Sequence, residues 1–380
     1  MSEKRQLSTL LTTFLESMRS LGVSSLRDAV SSRGHSRDFA YARGDYLRSR
    51  IMIVGLIFLV LSPFWMLIDS FMLPDTARGY AWLGRAIMVA GLLATVVLAW
   101  RSSGRVLQTR LAAGLLIALP ALFYGLVILG MPPDWDGRLI GYSFIPFMLM
   151  VMLGIFPFTL LESAIFGVGL LLLEGYALHM GGVLLTAEGF QEIWLLAALM
   201  CITLTSNYFH LGLLLRLYRE ATHDPLTGLL NRGALHQRLE QVRGARQNQT
   251  MALLMMDLDH FKRVNDQYGH AVGDMVLRQF SQLLRAAIGT GDFAARYGGE
   301  EFVAVLVNKS KEQAIELAER LRQQVEKTPV TAHDGAVVNF TTSIGVATLH
   351  SGEPFDSAAR RADDRLYEAK KTSRNCVVGI

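Results

Sequence analysis

The chain has 380 residues, of which 51% are hydrophobic and only 18% are charged. Soluble domains usually carry about a quarter charged residues, so this composition excludes an ordinary single soluble domain. The apolar residues are also unevenly placed, because residues 51–216 are nearly free of charge whereas the segments on either side are polar. We therefore expect one part of the chain to lie in lipid and another in water.

The apolar half divides into runs long enough to cross a bilayer, which takes about 20 residues. The first run is too long and too far from the N-terminus to be a cleaved signal peptide. A buried core of helices is the alternative, but successive apolar runs favour a membrane bundle. Six transmembrane helices are predicted, over residues 51–73, 81–100, 109–131, 139–158, 162–183 and 193–216.

Lysine and arginine residues near the ends of these runs predict their orientation. Residues 1–50 contain nine of them, and Arg101, Arg105, Arg216 and Arg219 add to the same side. The opposite loops carry few, so both termini are predicted to face the cytoplasm. The formal net charge of +4 follows largely from this bias and does not indicate nucleic-acid binding.

Ionisable residues inside membrane spans are functional candidates by default. In the predicted topology His179 and His210 lie at opposite ends of their spans, so they cannot share a metal. Glu174 and His179 are separated by about 140° around a helix, which makes them a poor ligand pair. Asp69 and Arg85 both lie near the outer face, where they can pair. The full set is Asp69, Arg85, Glu162, Glu174, His179 and His210.

From residue 219 onward the pattern alternates between short apolar strands and amphipathic helices. This alternation predicts one α/β domain of about 160 residues. The predicted division is a tail over 1–50, a membrane domain over 51–216 and a soluble domain over 217–380. Strands are predicted over 251–259, 296–307, 337–349 and 375–380, and helices over 271–289, 311–327 and 355–371.

Two pairs of acidic residues lie at the ends of predicted strands. Asp257 and Asp259 follow the first strand on one face, and Glu300 and Glu301 lie in a glycine turn that begins another strand. If those strands pair, Asp257 and Glu300 converge. Two carboxylates with an open coordination sphere suit Mg²⁺ bound to a substrate's phosphates. The pattern favours a phosphoryl-transfer site, and the alternative is that the acids cap helices and solvate a turn.

The segment "RYGGEEF" (296–302) resembles the signature of the GGDEF family, the diguanylate cyclases, in its GGEEF form. The resemblance covers about residues 219–380 and implies a nucleotidyl-cyclase-like palm, with a central, mostly antiparallel sheet flanked by helices. Four further segments resemble family motifs in the family's order: "HDPLTGLLNR" (223–232), "DLDHFKRVNDQYGHAVGD" (257–274), "TTSIGVA" (341–347) and "ADDRLYEAKKTSRN" (362–375).

The resemblance implies a reaction between two GTP molecules, one on each of two facing GGDEF domains in a homodimer. Each 3′-hydroxyl attacks the other α-phosphate, which yields cyclic di-GMP and two pyrophosphates. The membrane half would then be a sensor in the bacterial inner membrane. Two alternatives are a catalytically inactive receptor for GTP or cyclic di-GMP, and a transporter with an appended regulatory domain.

Family similarity also assigns roles to the acidic residues. Asp257 and Glu300, with the carbonyl of Leu258, are expected to hold two Mg²⁺ or Mn²⁺ ions, and Asp259 is an outside candidate. Glu301 is expected beside the attacking hydroxyl, as a base or through its charge. Gly298 and Gly299 are expected to give the ribose and phosphates room.

The remaining substrate contacts are assigned in the same way. Phe261, Lys262, Lys370 and Arg374 resemble two groups of phosphate-binding residues. Asn265 and Asp274 resemble the guanine-reading residues. A carboxylate accepts from both N1–H and the amine of guanine, whereas adenine has no N1–H, so this similarity favours GTP over ATP.

One motif departs from the family pattern. Many members carry an RxxD product-inhibition site that ends six residues before the first signature glycine. Here Asp292 matches, but Gly289 stands in place of the arginine. Without the arginine, the site lacks the guanidinium that could bind the product through two hydrogen bonds. We therefore expect a degenerate inhibitory site.

The sixth predicted span leads directly into the first soluble motif. The segment "LLLRLYREATHDPLTGLL" leaves no room for a separate receiver or coiled coil. A movement of that span would therefore reach the soluble domain directly, as rotation or translation of a helix. The signal that drives such a movement is not identified by any motif.

Overall fold

The computed structural model describes residues 29–32, 35–132, 141–245, 250–332 and 334–379. The chain divides into two compact units, Met1–Tyr218 and Arg219–Ile380. Most of the predicted cytoplasmic tail and the first residues of the predicted fourth span lie outside the described ranges.

The N-terminal unit is helical. Among the residues that the structure describes, five helices of this unit are long and apolar enough to cross a membrane, and a further apolar helix is shorter. The helices are α1 (Arg37–Met72), α2 (Asp75–Arg101), α3 (Val106–Leu129), α4 (Phe144–Leu153), α5 (Leu160–Met180) and α6 (Ala187–Thr222).

The first and last helices are longer than the apolar runs predicted from hydropathy. Helix α1 begins 14 residues before the predicted start, at a cap where the Ser36 hydroxyl accepts from the Phe39 amide at 3.2 Å. Helix α6 continues to Thr222, past the predicted end at residue 216. Hydropathy detects only the apolar part of a helix, whereas polar residues continue it wherever backbone hydrogen bonds persist.

The prediction of six membrane-spanning helices is not confirmed, because α4 has only ten residues. At 1.5 Å per residue it is about 15 Å long, half the thickness of a hydrocarbon core. The helix ends at Gly154, and Pro157 follows, a combination that typically stops helices. Side chains of α6 bind carbonyls of this segment: Thr203 Oγ1 donates to Met150 O at 3.0 Å and Asn207 Nδ2 donates to Leu153 O at 3.1 Å.

Several charged side chains inside this unit have hydrogen-bonding partners. The predicted pairing of Asp69 with Arg85 is confirmed: Arg85 Nε and Nη2 donate to the two Asp69 oxygens at 2.7 and 2.9 Å. Tyr124 OH donates to Glu174 at 3.0 Å. Among the described residues, no group of three His, Cys, Asp or Glu side chains is placed to hold a metal ion.

The C-terminal unit is an α/β domain. Its helices are α7 (Arg232–Ala245), α8 (Phe261–Tyr268), α9 (His270–Ala287), α10 (Lys311–Glu326) and α11 (Phe355–Thr372). Its strands are β1 (Leu230–Asn231), β2 (Met251–Leu258), β3 (Phe293–Arg296), β4 (Glu301–Val307), β5 (Val330–Thr331), β6 (Val337–Val338), β7 (Thr342–Leu349) and β8 (Val377–Gly379).

The main sheet has six strands in the order β1-β3-β4-β2-β7-β8. The three central pairings are antiparallel and the two outer ones are parallel, so the predicted, mostly antiparallel sheet is confirmed. Strand β2 is buried along its whole length. Its residues alternate between two cores: Leu254 and Met256 pack on one face, and Leu253 and Met255 pack on the other. Helices therefore cover both faces of the sheet, which leaves the ends of its strands accessible.

The predicted elements are largely found, with one strand divided. The strand predicted over 337–349 is β6 and β7, because β6 pairs with β5 in a separate two-stranded sheet. The sequence analysis does not predict the short strands β1, β3 and β5 or the helices α7 and α8. Helix α8 has eight residues, too few turns for hydrophobic periodicity to stand out.

Candidate active site

The acidic residues of the two central strands meet at one end of the sheet. Asp257 of β2 lies directly opposite Glu301 of β4 in the antiparallel register. The preceding turn is tight, because the amides of Tyr297 and Gly298 both donate to the Glu301 carbonyl, at 2.8 and 3.2 Å. The Leu258 amide approaches Glu300 O at 3.4 Å. The structure thus brings together Asp257, Leu258, Glu300 and Glu301, as the strand ends predict.

Burial and mutual repulsion act on these carboxyl groups. Burial raises the pKa of Asp257, Lys370 opposes this effect, and the charges of Glu301 and Asp259 add to it. Burial also raises the pKa of Glu300, and the charge of Asp257 raises it further. A cluster with this much uncompensated negative charge favours a bound cation.

The donor set fits a hard divalent ion. Asp257 and Glu300 offer carboxylate oxygens, and the backbone of Leu258 lies beside them; Mg²⁺ typically takes one or two carboxylates and completes its octahedron with water and phosphate oxygens. Lys370 Nζ lies 2.8 Å from Asp257 Oδ2. The predicted phosphate-binding lysine is therefore within reach of the same cluster.

Asp259 has a different position from its neighbour. Its Oδ1 accepts from the Ser343 hydroxyl at 2.7 Å, and its Oδ2 accepts from the Thr341 hydroxyl at 2.7 Å and the Asn375 amide at 3.0 Å. With both oxygens hydrogen-bonded, Asp259 positions the segment that carries Arg374. Arg374 and Asn375 have φ angles of 52° and 47°, a left-handed conformation that needs such support.

The predicted guanine-reading residues lie on two adjoining helices. Asn265 is on α8, Asp274 is on α9, and Gly269 forms the turn between them with a φ of 82°. Gly273 lets the two helices approach closely. A Cβ at that position would lie 1.9 Å from Asn265 Oδ1 and 3.2 Å from the Phe261 ring. Phe261 is buried and Lys262 follows it in the first turn of α8.

Comparison with known families matches this set of residues. Residues 221–376 match the family described as "Diguanylate cyclase, GGDEF domain". Residues 221–376 form a GGDEF domain. That match contains the acidic cluster, the two adjoining helices and the Lys370–Arg374 segment.

Curated relatives of the GGDEF domain are bacterial signalling proteins. Response regulator PleD of Caulobacter vibrioides is 40% identical over 163 residues, which is 42% of this chain and 36% of PleD. Diguanylate cyclase DgcP of Pseudomonas aeruginosa is 42% identical over 159 residues, which is 41% of this chain and 24% of DgcP. The probable diguanylate cyclase DgcT of Escherichia coli is 33% identical over 219 residues, 57% of this chain and 47% of DgcT. The chain thus spans less than half the length of these relatives.

A further residue of the GGDEF domain, Arg296, was missed by the sequence reasoning. Its Nε and Nη2 donate to the Gly299 carbonyl at 3.1 and 2.7 Å, which fixes the glycine turn. Its Nη1 donates to both oxygens of Asp224 at 3.2 Å. Burial alone would raise the pKa of Asp224, but hydrogen bonds from Thr227 and the charge of Arg296 lower it instead. Arg296 and Asp224 stand in two of the quoted motifs, but only the fold shows that they touch.

The degenerate inhibitory site, residues 289–292, forms a turn. The Gly289 amide donates to Asp292 Oδ2 at 2.9 Å, and the Val307 amide donates to Asp292 Oδ1 at 2.8 Å. Both carboxylate oxygens of Asp292 therefore bind the domain's own backbone. This geometry adds a second reason, beside the missing arginine, to expect no strong product binding here.

Proposed function

We propose that the protein is a membrane-anchored diguanylate cyclase that condenses two GTP into cyclic di-GMP and two pyrophosphates as a homodimer. The observation that carries the proposal is the convergence of Asp257, Leu258 and Glu300 at one end of the central strands, within residues that match the GGDEF domain family. Relatives named as diguanylate cyclases support the same activity.

The proposed roles rest on family similarity and on the positions of these residues. Asp257, Glu300 and the Leu258 carbonyl would hold divalent ions, which when bound neutralise the triphosphate and acidify the attacking hydroxyl. Glu301 lies opposite Asp257 in this cluster and would act beside the attacking hydroxyl. Lys370 would leave Asp257 for a phosphate once a cation takes its place, because an ammonium and a divalent ion compete for one carboxylate.

Guanine recognition would fall to Asn265 and Asp274. Asn265 Oδ1 lies against Gly273, the residue before Asp274, and both side chains are proposed to bind the same guanine. Phe261 and Lys262 at the start of α8, and Arg374 after α11, would hold the terminal phosphates. Since one GGDEF domain holds one GTP, the reaction requires two chains.

The N-terminal unit is proposed to cross the bacterial inner membrane six times, with both termini in the cytoplasm. Tyr142, before α4, donates to Asp69, and Ile155, after α4, accepts from Arg50. Asp69 and Arg50 are 19 residues apart on α1, about 28 Å at 1.5 Å per residue. The segment around α4 therefore runs between two levels separated by nearly a hydrocarbon thickness, which supports a sixth passage despite its short helix.

The activity is tested by incubating the purified full chain with GTP and Mg²⁺ and measuring cyclic di-GMP. We expect cyclic product from the unmodified chain, and a loss on the order of 10³-fold in Glu300→Ala and Glu301→Ala, because each removes charge stabilisation at the reacting phosphates. Exposed Glu316 on α10 provides the matched control, Glu316→Ala, with unchanged activity. GTP binding without any product would favour the inactive receptor instead.

Signal transfer through α6 has its own test. Insertion of one to four residues after Tyr218 should change the rate of cyclic di-GMP formation with helical periodicity, because each residue rotates the following helix by about 100°. A steady decline with insert length would contradict direct transfer through the helix.

A further inference from the structure

A cavity of about 160 Å³ lies within the N-terminal unit, between α1, α2, α3 and the segment that begins α4. Its inner wall is buried and is formed by Arg85, Met88, Phe123 and Tyr142. Its mouth is formed by Trp65 and other exposed apolar side chains, Leu61 and Phe144. The cavity is therefore a recess that opens at the apolar surface of the bundle.

Two prolines lie at or beside the recess. Pro63 lies inside α1 next to the lining residue Ser62, and Pro120 lies inside α3 and lines the cavity itself. A proline within a helix removes one backbone hydrogen bond and tends to kink the helix. Packed helical interiors ordinarily have few voids larger than a water molecule, so a recess between two proline-bearing helices is a distinct feature of this bundle.

The lining combines aromatic rings with one cation. Arg85 lies over the Phe123 ring, with its guanidinium carbon 4.5 Å from the ring centroid. Its charge is neutralised by Asp69, which also accepts from the Tyr142 hydroxyl. A charged ligand would be left unpaired here, so the lining selects a neutral molecule.

Arg85 retains hydrogen-bonding capacity. Among the described residues, its Nε, Nη1 and Nη2 each have one acceptor, the Nη1 contact being to Ser62 O at 3.3 Å. A guanidinium has five N–H groups, so each terminal nitrogen has one more donor to offer. A ligand's oxygen acceptor would satisfy such a donor.

We propose that this recess is a binding site for a small, neutral aromatic molecule that carries one hydrogen-bond acceptor. A cavity of about 150 Å³ holds benzene in another protein, so the volume suits a single substituted ring. The ring packs against Phe123, Tyr142 and Trp65, and the acceptor binds the guanidinium of Arg85. The inference goes beyond the proposed cyclase activity and does not depend on it.

The test is calorimetric titration of the full chain in lipid nanodiscs, with empty nanodiscs as the reference. The probes are acetophenone, ethylbenzene and benzoate, which share a ring and differ in acceptor and charge. We expect saturable acetophenone binding with a Kd below about 1 mM, about fivefold weaker ethylbenzene binding because one hydrogen bond is lost, and no benzoate binding. Absence of saturable acetophenone binding would overturn the proposal, and equal binding of all three probes would overturn the role of Arg85.

Two variants locate the site. Met88→Phe fills the recess and should weaken acetophenone binding at least tenfold, whereas Met152→Phe makes the same change at a buried methionine outside the lining and should not. The double variant Asp69→Asn with Arg85→Gln leaves no unpaired charge and should abolish the preference for acetophenone over ethylbenzene. Unchanged binding in Met88→Phe, or unchanged preference in the double variant, would contradict the assignment.

Discussion

The two units of this protein surround their buried charges differently. Among the described residues of the N-terminal unit, both buried arginines meet a carboxylate: Arg85 binds Asp69, and Arg43 binds Glu162 and the Pro157 carbonyl. In the GGDEF domain, Asp257 instead lies among other acids, with Lys370 as its cationic neighbour. Paired charges hold helices together, whereas an acidic cluster left with excess negative charge is prepared for a ligand.

Because of this difference, substitutions in the two units should affect different properties, namely folding stability in one and substrate binding or rate in the other. Removing one member of a closed pair leaves its partner buried and uncompensated, which costs folding free energy. Removing a residue from the acidic site relieves repulsion and costs binding or rate instead. Variants in the two units should therefore fail in different assays.

The largest effect is expected at Arg43, which is 2% exposed. Arg43→Gln should lower the free energy of unfolding by about 3 kcal/mol, because Glu162 is left without its closest cation. Chemical unfolding in detergent measures the change. Arg78→Gln is the matched control, since its pair with Asp75 is exposed at 39% and 89% and contributes little. Equal losses in the two variants would contradict the distinction.

A smaller effect, confined to substrate binding, is expected at Gly273. In Gly273→Ala the new methyl group displaces Asn265, so hydrogen bonds to guanine worth about 2 kcal/mol are lost. The KM for GTP should rise about 30-fold, and the preference for GTP over ATP should fall. The free energy of unfolding should remain nearly unchanged. Gly291→Ala adds a methyl group where no atom lies within 4 Å and should leave KM as it is. An unchanged KM in Gly273→Ala would remove Asn265 from the guanine site.

Arg296 connects the glycine turn to Asp224. Arg296→Lys keeps the charge but loses the planar fork that reaches both acceptors, so kcat should fall on the order of tenfold, at about 1 kcal/mol for each lost hydrogen bond. Steady-state kinetics measure the change. Arg320→Lys, in an exposed pair with Glu316, should have wild-type kinetics. A change in KM alone would show that Arg296 acts on binding rather than on the turn.

The smallest effect concerns product inhibition. Because Gly289 replaces the arginine and Asp292 binds backbone amides, low-micromolar cyclic di-GMP should leave the initial rate unchanged. Rates measured with labelled GTP and unlabelled product check this. Strong inhibition that disappears in Asp292→Ala would show that the degenerate inhibitory site still binds product.

Much of the acidic site could be predicted because strand ends are readable in the sequence. Asp257 lies at the end of one apolar run and Glu300 precedes another. Antiparallel pairing of the two runs brings these residues together. The role of Asp259 could not be read in this way. Alternation places it on the face of Asp257, but its partners Ser343 and Asn375 come from distant segments that only the folded sheet brings near.

The N-terminal unit was harder to predict in detail. Hydropathy located the apolar runs but not the helix ends, since Ser36 and not the first apolar residue starts α1. It also gave residues 139–158 a full span, because composition does not show that the helix stops at Gly154. The recess beside Arg85 depends on how α1, α2, α3 and the segment that begins α4 pack together, which no local pattern records.

The most direct test of the central claim counts divalent ions at the acidic cluster. Electron paramagnetic resonance of Mn²⁺, titrated into the full chain with a non-hydrolysable GTP analogue, should show two bound ions per chain. Asp257→Asn should lose at least one of them, and Asp363→Asn, on the exposed side of α11, should keep both. Two ions bound with equal affinity in Asp257→Asn would contradict the assignment of this cluster as the metal and nucleotide site.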